Sequence, residues 1–287
     1  MSKRVVIVGR GGQLGTELVK VFSARGHAVT GFTRQELDIT DSGRVEHVLA
    51  DLDPAIILNA AAYNKVDVAE KEPQLAYLGN ALAVRNLALA ARQVDARLVH
   101  FSTDYVFDGQ ADRPYTEEDS THPLGAYAVS KLAGEMYAQA YLDSPLIIRT
   151  SGVFGPAGLK TAGGNFVETM LRHAASGKTI RVVEDHVASP TYAPALAERT
   201  ADLLERDAAG VFHIGGGVPI SWFDYARLIF QAAGLSPEVR PTNEREYRTV
   251  ARRPRYSALS NAKIERMGIA PMPPMEEALA SYMKART

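Results

Sequence analysis

Two side chains that can handle protons, Tyr127 and Lys131, lie four residues apart in the run Gly125-Ala-Tyr-Ala-Val-Ser-Lys131. Residues at i and i+4 of a helix project from the same face, so this spacing predicts an ammonium group beside a phenol. A neighbouring positive charge favours the phenolate and lowers a tyrosine pKa from its usual value of about 10. The pair is therefore predicted to supply a general acid that protonates a carbonyl oxygen during reduction.

A glycine-rich turn near the start of the chain offers a site for a dinucleotide. The apolar run Val5–Val8 leads into Gly9-x-x-Gly12-x-x-Gly15, which reads as a strand followed by the opening of a helix. Glycines allow a tight turn and the close approach of a pyrophosphate, which the N–H groups of the helix N-terminus attract. A turn that only packs the helix on the strand would explain the same glycines.

The residues after the second apolar run bear on the choice of nicotinamide cofactor. The run ends in Thr30-Gly-Phe-Thr33-Arg34 and provides an arginine but no acid at this point. An acid here usually binds the 2′-hydroxyl of NAD, whereas an arginine suits the 2′-phosphate of NADP. Arg34 therefore predicts NADPH, with NADH possible and a solvated surface arginine as the alternative. Asp38 and Ile39 follow and could hold the adenine, although Asp38 could also cap a helix or turn.

Small and polar residues follow the third and fourth apolar runs. The third leads into Asn59-Ala-Ala61-Ala62-Tyr63-Asn64, and small residues at the carboxyl end of a strand let a flat cofactor lie against the backbone. Close packing of a helix would also explain these alanines. The fourth ends at Thr103, whose hydroxyl could hydrogen-bond a substrate carbonyl or only a local backbone group. Asn80, in the helix between them, is either a polar brace behind the site or an exposed residue.

The order of apolar and helical patterns predicts an α/β fold: a Rossmann-type doubly wound parallel sheet with a smaller mixed C-terminal substrate-binding portion. Strands are predicted at Arg4–Val8, Ala28–Phe32, Ala55–Asn59, Leu98–Ser102, Leu146–Arg149 and Gly210–Ile214. Helices are predicted at Gly12–Arg25, Ser42–Asp51, Pro73–Gln93, Tyr127–Ala140, Asn165–Ser176, Ala193–Arg206 and Trp222–Ala233. Loops are expected at Gly155–Gly164 and at Arg240–Ser260, the latter facing the substrate. The dinucleotide-binding domain is expected to span residues 1–152 and to regain a βα unit near 190–215, whereas 153–287 mainly binds substrate.

Composition argues against several other functions. The 287 residues carry a net charge of −1 and contain no cysteine, which disfavours nucleic-acid binding, a polybasic membrane anchor, disulfides and thiolate chemistry. The histidines lack metal-ligand spacing, and there is no Gly-x-Ser-x-Gly elbow of a serine hydrolase. The first apolar run is too short to cross a bilayer. We therefore expect a cytoplasmic monomer or homodimer without a catalytic metal.

Together these motifs resemble the extended short-chain dehydrogenase/reductase superfamily and, more narrowly, the dTDP-4-dehydrorhamnose reductase family. The Ser-Thr-Asp-Tyr-Val-Phe-Asp-Gly stretch at Ser102–Gly109 and the Ser-Pro-Thr within Val182–Tyr192 are specific to this family more than to the superfamily. The resemblance also covers Gly9–Leu18, Asn59–Glu70, Tyr127–Lys131, Arg149–Gly155, Ser221-Trp222 and Arg253-Pro-Arg-Tyr-Ser257. It implies NAD(P)H-dependent reduction of the C4 ketone of dTDP-4-dehydro-L-rhamnose to dTDP-L-rhamnose, a step toward cell-surface polysaccharides.

The resemblance also implies residue roles. The catalytic residues would be Thr103, Tyr127 and Lys131, with Lys131 also holding the nicotinamide ribose. Residues along the cofactor would be Gly12, Gln13, Leu14, Asp38, Ile39, Ala62, Tyr63 and Asn64. The nucleotide sugar would contact Thr103 and Asp104, and we add Gly152, His186 and Arg253 as candidate substrate residues. Candidates for gripping the diphosphate, or else members of a solvated basic loop, are Arg245, Arg248, Arg252 and Arg253.

Two residues depart from the family pattern. Gly152 stands where the family usually carries a tryptophan that packs on the sugar, and Lys65 adds a cation near the cofactor or substrate. Both leave the exact sugar open. Some family members bind Mg²⁺ at a dimer contact through glutamates. Glu17 matches one such position but Pro194 replaces another, so we do not carry that metal over to this chain.

Other functions share this fold and remain alternatives. Another sugar-nucleotide reductase or an epimerase of the same superfamily would use the same cofactor site. A non-catalytic regulatory binding subunit is a different class, against which the intact Tyr127 and Lys131 pair argues.

Overall fold

The computed structural model describes residues 2–160 and 164–286 and is built around a parallel sheet. The strands in these ranges are β1 (Arg4–Val8), β2 (Ala28–Phe32), β3 (Ile56–Asn59), β4 (Arg97–Thr103), β5 (Leu146–Thr150), β6 (Ile180–Val183), β7 (Val187–Ala188), β8 (Gly210–His213), β9 (Ile220–Ser221) and β10 (Val239–Thr242). Six strands form one sheet in the order β2-β1-β3-β4-β5-β8, and each neighbouring pair is parallel. This is the doubly wound order that the sequence predicts.

Helices cover both faces of the sheet. They are α1 (Gln13–Ala24), α2 (Ser42–Leu52), α3 (Val66–Ala69), α4 (Pro73–Tyr77), α5 (Ala83–Gln93), α6 (Ala126–Tyr141), α7 (Phe166–Ala175), α8 (Ala193–Glu205), α9 (Trp222–Ala232), α10 (Ala262–Arg266) and α11 (Met275–Arg286). Val5 and Ile7 of β1 pack in the core that includes α1 and α8, whereas Val6 and Val8 pack in the core that includes α2 and α5. Because both faces are buried over Val5–Val8, these residues of β1 are all apolar.

The single helix predicted over Pro73–Gln93 contains a π-helical turn. The turn, Leu78–Leu82, joins α4 to α5. Gly79 and Asn80 are weak helix formers, and π turns occur frequently at functional sites. Asn80 is 1% exposed, so the exposed-residue alternative for this position is wrong.

A second core lies in the C-terminal portion. Helices α7, α9 and α11 contribute to a cluster that buries Phe154, Tyr225 and Tyr282. Two short ribbons accompany it, a parallel pair of β6 and β10 and an antiparallel pair of β7 and β9. The predicted loop at Arg240–Ser260 is therefore wrong at its start, where Arg240–Thr242 belong to β10. The proline at 241 obscured this strand, and it is tolerated because a two-stranded ribbon leaves one backbone edge unpaired.

Other sequence expectations have mixed outcomes. The predicted loop at Gly155–Gly164 contains a 3₁₀ turn at Pro156–Lys160, and its residues 161–163 lie outside the described ranges. Helices α3, α10 and α11 were not predicted. The boundary between the dinucleotide-binding domain and the substrate-binding portion at residue 152 stays a prediction, because α8 and β8 return to the first core. Across the same ranges, no helix has the length and apolarity that a membrane crossing requires.

Candidate active site

The glycine loop after β1 forms a cradle that only glycine fits. A Cβ on Gly9 would lie 2.6 Å from the backbone N of Ala61, and a Cβ on Gly15 would lie 2.1 Å from the carbonyl O of Gly9. Gly9 also has a φ of 82°, a conformation that favours glycine. Gly12 precedes α1 and supplies no side-chain cap, so the first N–H groups of the helix are left for an anion. The cradle therefore fits a dinucleotide pyrophosphate.

Gln13 and Leu14 lie in the first turn of α1, but their side chains are committed to the protein. Gln13 Oε1 accepts the N–H of Gly155 at 3.1 Å and Nδ2 of Asn165 at 2.8 Å. Leu14 packs into the core beneath α1. The predicted contact of Gln13 and Leu14 with a pyrophosphate would therefore be made by their backbone N–H groups. The Gln13 side chain instead fastens the cradle to the start of the C-terminal portion.

Charged side chains gather after β2. Arg34 Nε lies 3.2 Å from Asp38 Oδ2, and Arg10 Nη2 lies 2.6 Å from Glu36 Oε1. The prediction that this turn offers no acid is wrong, because the Glu36 carboxylate folds back to accept the N–H of Thr33 at 2.7 Å. The hydrogen bond from Arg10 lowers the pKa of Glu36 to about 2. The sequence analysis did not single out Arg10 or Glu36. Glu36 lies beyond Arg34 in the chain and reaches the end of β2 only because the turn folds back.

Asp38 and Ile39, predicted along the adenine, both have structural roles. Asp38 Oδ1 accepts the N–H of Thr40 at 3.0 Å, which is the turn-capping alternative. Ile39 is buried in the core beneath α2 and α5. Contacts of either residue with a cofactor stay a prediction.

Asn80 braces the segment after β3 against α6. Its Oδ1 accepts the N–H of Tyr63 at 2.8 Å, and its Nδ2 donates to the Tyr63 carbonyl and to Ser130 Oγ, both at 3.0 Å. Ser130 Oγ donates in turn to the carbonyl of Tyr127 at 2.7 Å. The Asn80 side chain is thus the polar brace that the sequence suggested, whereas a contact of Asn80 with the cofactor stays a prediction. The neighbouring residues that keep solvent contact at the sheet edge are Ala61, Ala62, Tyr63 and Asn64.

Tyr127 and Lys131 lie on α6, near the carboxyl end of β4. Lys131 is 2% exposed, and its Nζ donates to the carbonyl O of Phe101 at 2.6 Å. Burial lowers the pKa of Lys131 to about 8. Tyr127 keeps some solvent contact as a residue, yet burial of its phenol raises its pKa above the ordinary value, and a hydrogen bond with Thr103 opposes this only partly.

The expectation that Lys131 lowers the pKa of Tyr127 is therefore wrong for this structure. Desolvation dominates and keeps the phenol protonated at neutral pH. A general acid must carry its proton before it can donate it, so this direction of the pKa shift suits carbonyl reduction.

Asp104 has a buried carboxyl group that collects three hydroxyl donors. Thr103 Oγ1 donates to Oδ1 at 3.1 Å, while Ser151 and Ser257 donate to Oδ2 at 2.8 and 2.6 Å. Burial raises the pKa of Asp104 to about 6, although the three hydroxyls oppose the shift. Since the protein engages both oxygens, we assign Asp104 to positioning Thr103 instead of the predicted contact with substrate.

Asp104→Asn is expected to change the pH dependence of stability. A folded-state pKa of about 6 lies above that of an unfolded aspartate, so the wild type gains protons and stability as the pH falls from about 7 to about 4. The neutral amide lacks this dependence. The free energy of unfolding of the variant minus that of wild type should therefore be larger near pH 7.5 than near pH 5, by about 1.4 kcal/mol. Urea unfolding at both pH values measures this, and an unchanged difference would contradict the burial of a titrating carboxyl.

A buried ion pair lies behind Lys131. The side chains of Arg149 and Glu135 are 7% and 2% exposed, and Nη2 lies 2.7 Å from Oε2. Ser102 Oγ also donates to Glu135. Sequence reasoning missed this pair, although Glu135 continues the four-residue spacing of Tyr127 and Lys131 along one face of α6, which is a usable signal.

A C-terminal segment, residues 251–257, crosses the mouth of the site. The N–H of Ala251 donates to Asp67 Oδ1 at 3.0 Å, and Arg253 Nη2 lies 2.7 Å from Asp67 Oδ2. Asp67 and the Ala251 carbonyl, 3.3 Å from Nη1, accept from the Arg253 guanidinium, and the nearby Tyr105 ring packs edge-on against Tyr127 with centroids 6.2 Å apart. The Arg253 guanidinium is therefore engaged by the protein, and its predicted grip on a diphosphate has no support here. The other arginines predicted to bind the diphosphate are exposed: Arg245, Arg248 and Arg252.

His186 and Gly152, both predicted to line the substrate pocket, lie next to Trp222. The carbonyl O of His186 accepts the N–H of Trp222 at 3.1 Å. A Cβ on Gly152 would lie 3.3 Å from Trp222 Cη2. The His186 ring is directed to Glu244, with Nε2 3.5 Å from Oε2. Sequence reasoning noted Trp222 only within a motif and missed its place beside Gly152.

The residues around Glu17 do not fit a Mg²⁺ site. Glu17 is 5% exposed, and its Oε1 lies 2.8 Å from Lys20 Nζ. Glu17 and Pro194 line one surface groove, but Pro194 offers no side-chain oxygen to a metal ion. Within residues 2–160 and 164–286, no group of three or more acidic or histidine side chains could hold a metal ion.

The parallel sheet, the glycine cradle, and the Tyr127 and Lys131 pair on α6 define an oxidoreductase of the short-chain dehydrogenase/reductase type. The chain matches the family model described as "RmlD substrate binding domain" over residues 3–287. It belongs to this family. The predicted fold class, family resemblance and enzyme class are thereby confirmed.

Relatives in sequence and structure agree with this membership. The chain is 39% identical to "dTDP-4-dehydrorhamnose reductase" of Mycolicibacterium smegmatis, covering 99% of this chain and 86% of the relative. It is 37% identical to "Spore coat polysaccharide biosynthesis protein SpsK" of Bacillus subtilis, covering 99% and 98%. A crystal structure of dTDP-4-dehydrorhamnose reductase from Bacillus anthracis in complex with NADP has a TM-score of 0.93 at 37% identity and covers 99% of both chains.

Proposed function

We propose that this protein reduces the C4 ketone of dTDP-4-dehydro-L-rhamnose to dTDP-L-rhamnose with NADPH. The observation that carries the proposal is a phenol, Tyr127, kept protonated by burial beside Lys131 and Thr103, at the same sheet edge as a dinucleotide cradle. The names of the Mycolicibacterium and Bacillus anthracis relatives support the ketone substrate, and the NADP complex supports the cofactor. Because the reaction consumes NADPH, we place the protein in the cytoplasm. We propose that it is a monomer or a homodimer.

The side chains divide the work of the reduction. When bound, NADPH supplies the hydride that the ketone carbon accepts. Tyr127 donates its phenolic proton to the ketone oxygen as negative charge develops there. Lys131, whose Nζ donates to the Phe101 carbonyl, would hold the nicotinamide ribose through its remaining N–H donors. Thr103, whose hydroxyl donates to Asp104, would hydrogen-bond the ketone oxygen beside the phenol.

A coupled assay tests the proposal directly. The ketone is made enzymatically, and oxidation of NADPH and of NADH is followed separately, each with and without EDTA. We expect saturable oxidation that requires the keto sugar, a lower KM for NADPH than for NADH, and no effect of EDTA because Lys20 already neutralises Glu17. If neither cofactor is oxidised, the reductase function is refuted.

Arg34→Ala is expected to raise the KM for NADPH about tenfold or more and to leave the KM for NADH unchanged. The Arg34 side chain is 79% exposed and pairs with Asp38 only at 3.2 Å, so its guanidinium can turn to a 2′-phosphate. Arg92→Ala, an exposed arginine of α5, is the matched control for loss of one surface charge. Equal changes in KM for both cofactors would exclude recognition of the phosphate by Arg34.

A further inference from the structure

Gly152 leaves a space that a residue from another element fills. Its φ is 48°, and a Cβ built on it would lie 3.3 Å from Trp222 Cη2 and 3.4 Å from Pro190 Cα. That separation is so short that any side chain at 152 would require the indole to shift. The edge of the Trp222 indole, from α9, thus lies directly against the position that a Cβ of residue 152 would take.

This position is coupled to the reacting centre through short contacts. Gly152 directly follows Ser151, whose hydroxyl donates to Asp104 at 2.8 Å. Asp104 accepts in turn from Thr103 at 3.1 Å, and the ring of Tyr105, two residues further on, packs edge-on against Tyr127 with centroids 6.2 Å apart. We therefore expect a hexose whose ketone receives the Tyr127 proton to extend toward the Gly152 end of these contacts.

The surrounding protein holds the Trp222 indole in place. Phe166 and Tyr225 pack on it, with ring centroids 4.7 and 6.0 Å away, and the His186 carbonyl accepts its backbone N–H at 3.1 Å. Ser221 caps the helix start by accepting the N–H of Asp224 at 3.0 Å. An aromatic ring fixed at the start of a helix presents a contact surface at little further entropic cost on binding.

The indole also has unused binding capacity. Trp222 keeps solvent contact, and within the described ranges its side-chain N–H donates to no protein acceptor, whereas tryptophans in protein interiors usually find one. A ligand that brings an apolar face and an adjacent oxygen acceptor would satisfy both features. The C–H face of a hexose ring with its hydroxyl groups has this chemistry.

We propose that Trp222 is a specificity-determining residue that packs against the hexose ring of the nucleotide-sugar substrate, and that Gly152 is required because it gives the indole room. The inference rests on the proposed function for the identity of the sugar nucleotide. In this proposal a side chain of α9 recognises the hexose, because Gly152 has no side chain that could do so.

The wild-type protein itself reports on this contact, because Trp222 is the one tryptophan of the chain. dTDP-glucose, which has no ketone to reduce, is titrated while tryptophan emission is recorded, and dTDP alone is titrated in parallel. We expect a saturable change in emission with dTDP-glucose that is at least twice that with dTDP. Equal changes would assign the indole to the nucleotide part and overturn the proposal. No change at concentrations where dTDP-glucose competitively inhibits the reductase would overturn it as well.

Variants separate sugar recognition from stability. Trp222→Ala is expected to raise the KM for the keto sugar about tenfold or more, with kcat reduced less than the KM is raised and the KM for NADPH unchanged, while Trp222→Phe restores most of the loss. Phe223→Ala is the matched control, since Phe223 is the next residue of α9 and packs beneath Arg227 at 5.9 Å. An unchanged sugar KM in an active Trp222→Ala protein would refute the contact. Absence of activity in the wild type would instead refute the reductase function, so the two failures are distinct.

Discussion

Tyr127→Phe is expected to lower kcat for reduction of the keto sugar by about 10²–10⁴-fold, with little change in the KM for NADPH. The substitution removes one hydroxyl group and keeps the ring, which packs edge-on against Tyr105 with centroids 6.2 Å apart. Water would then have to supply the proton that the phenol normally delivers. Steady-state oxidation of NADPH measures kcat, and fluorescence of bound NADPH confirms that the cofactor still binds.

Tyr105→Phe is the matched control for this substitution. It also deletes one phenolic hydroxyl near the site, but from a tyrosine that is not proposed to donate a proton, and burial raises the pKa of Tyr105 to about 12. We expect kcat to fall far less than in Tyr127→Phe. Comparable losses in the two variants, or near-normal turnover by Tyr127→Phe, would remove Tyr127 from the role of general acid.

Glu135→Gln is expected to destabilise the protein by about 3–5 kcal/mol, the largest effect on stability that we predict. The Glu135 and Arg149 side chains are 2% and 7% exposed and lie 2.7 Å apart, so the variant would leave a guanidinium buried without its countercharge. Phe107 packs on that guanidinium at 5.3 Å, which leaves little room for water to compensate. Denaturant unfolding monitored by circular dichroism measures the loss.

Asp53→Asn provides the comparison for Glu135→Gln. It breaks the pair of Arg4 and Asp53 in the same chemical way, but those side chains are 62% and 63% exposed. A surface pair contributes only about 0–1 kcal/mol, and asparagine tolerates the positive φ of 40° at this position. If the free energy of unfolding falls by the same small amount in both variants, the pair of Glu135 and Arg149 is hydrated and its description as buried is wrong.

Local patterns were sufficient for the frame of the site. The apolar run of β1 and the glycines after it are consecutive in sequence, and the predicted Arg4–Val8 strand agrees with the structure. Tyr127 and Lys131 share a helix, so their common face follows from helical geometry alone. The π turn at Leu78–Leu82 and the short strand β10 were missed because each depends on contacts with other elements instead of a repeating pattern.

The sequence by itself determined the cradle, the tyrosine and lysine that we propose to carry the proton transfer, and the alternation of strands and helices that makes the sheet parallel. The tertiary structure alone decided the direction of the Tyr127 pKa shift, the joining of Asp104 to Ser257, 153 residues away, and the approach of Trp222 to Gly152. Periodicity and spacing act between near neighbours, whereas desolvation and buried hydrogen bonds depend on which distant segments pack together. The same phenol would be more acidic or less acidic according to the water that those segments exclude.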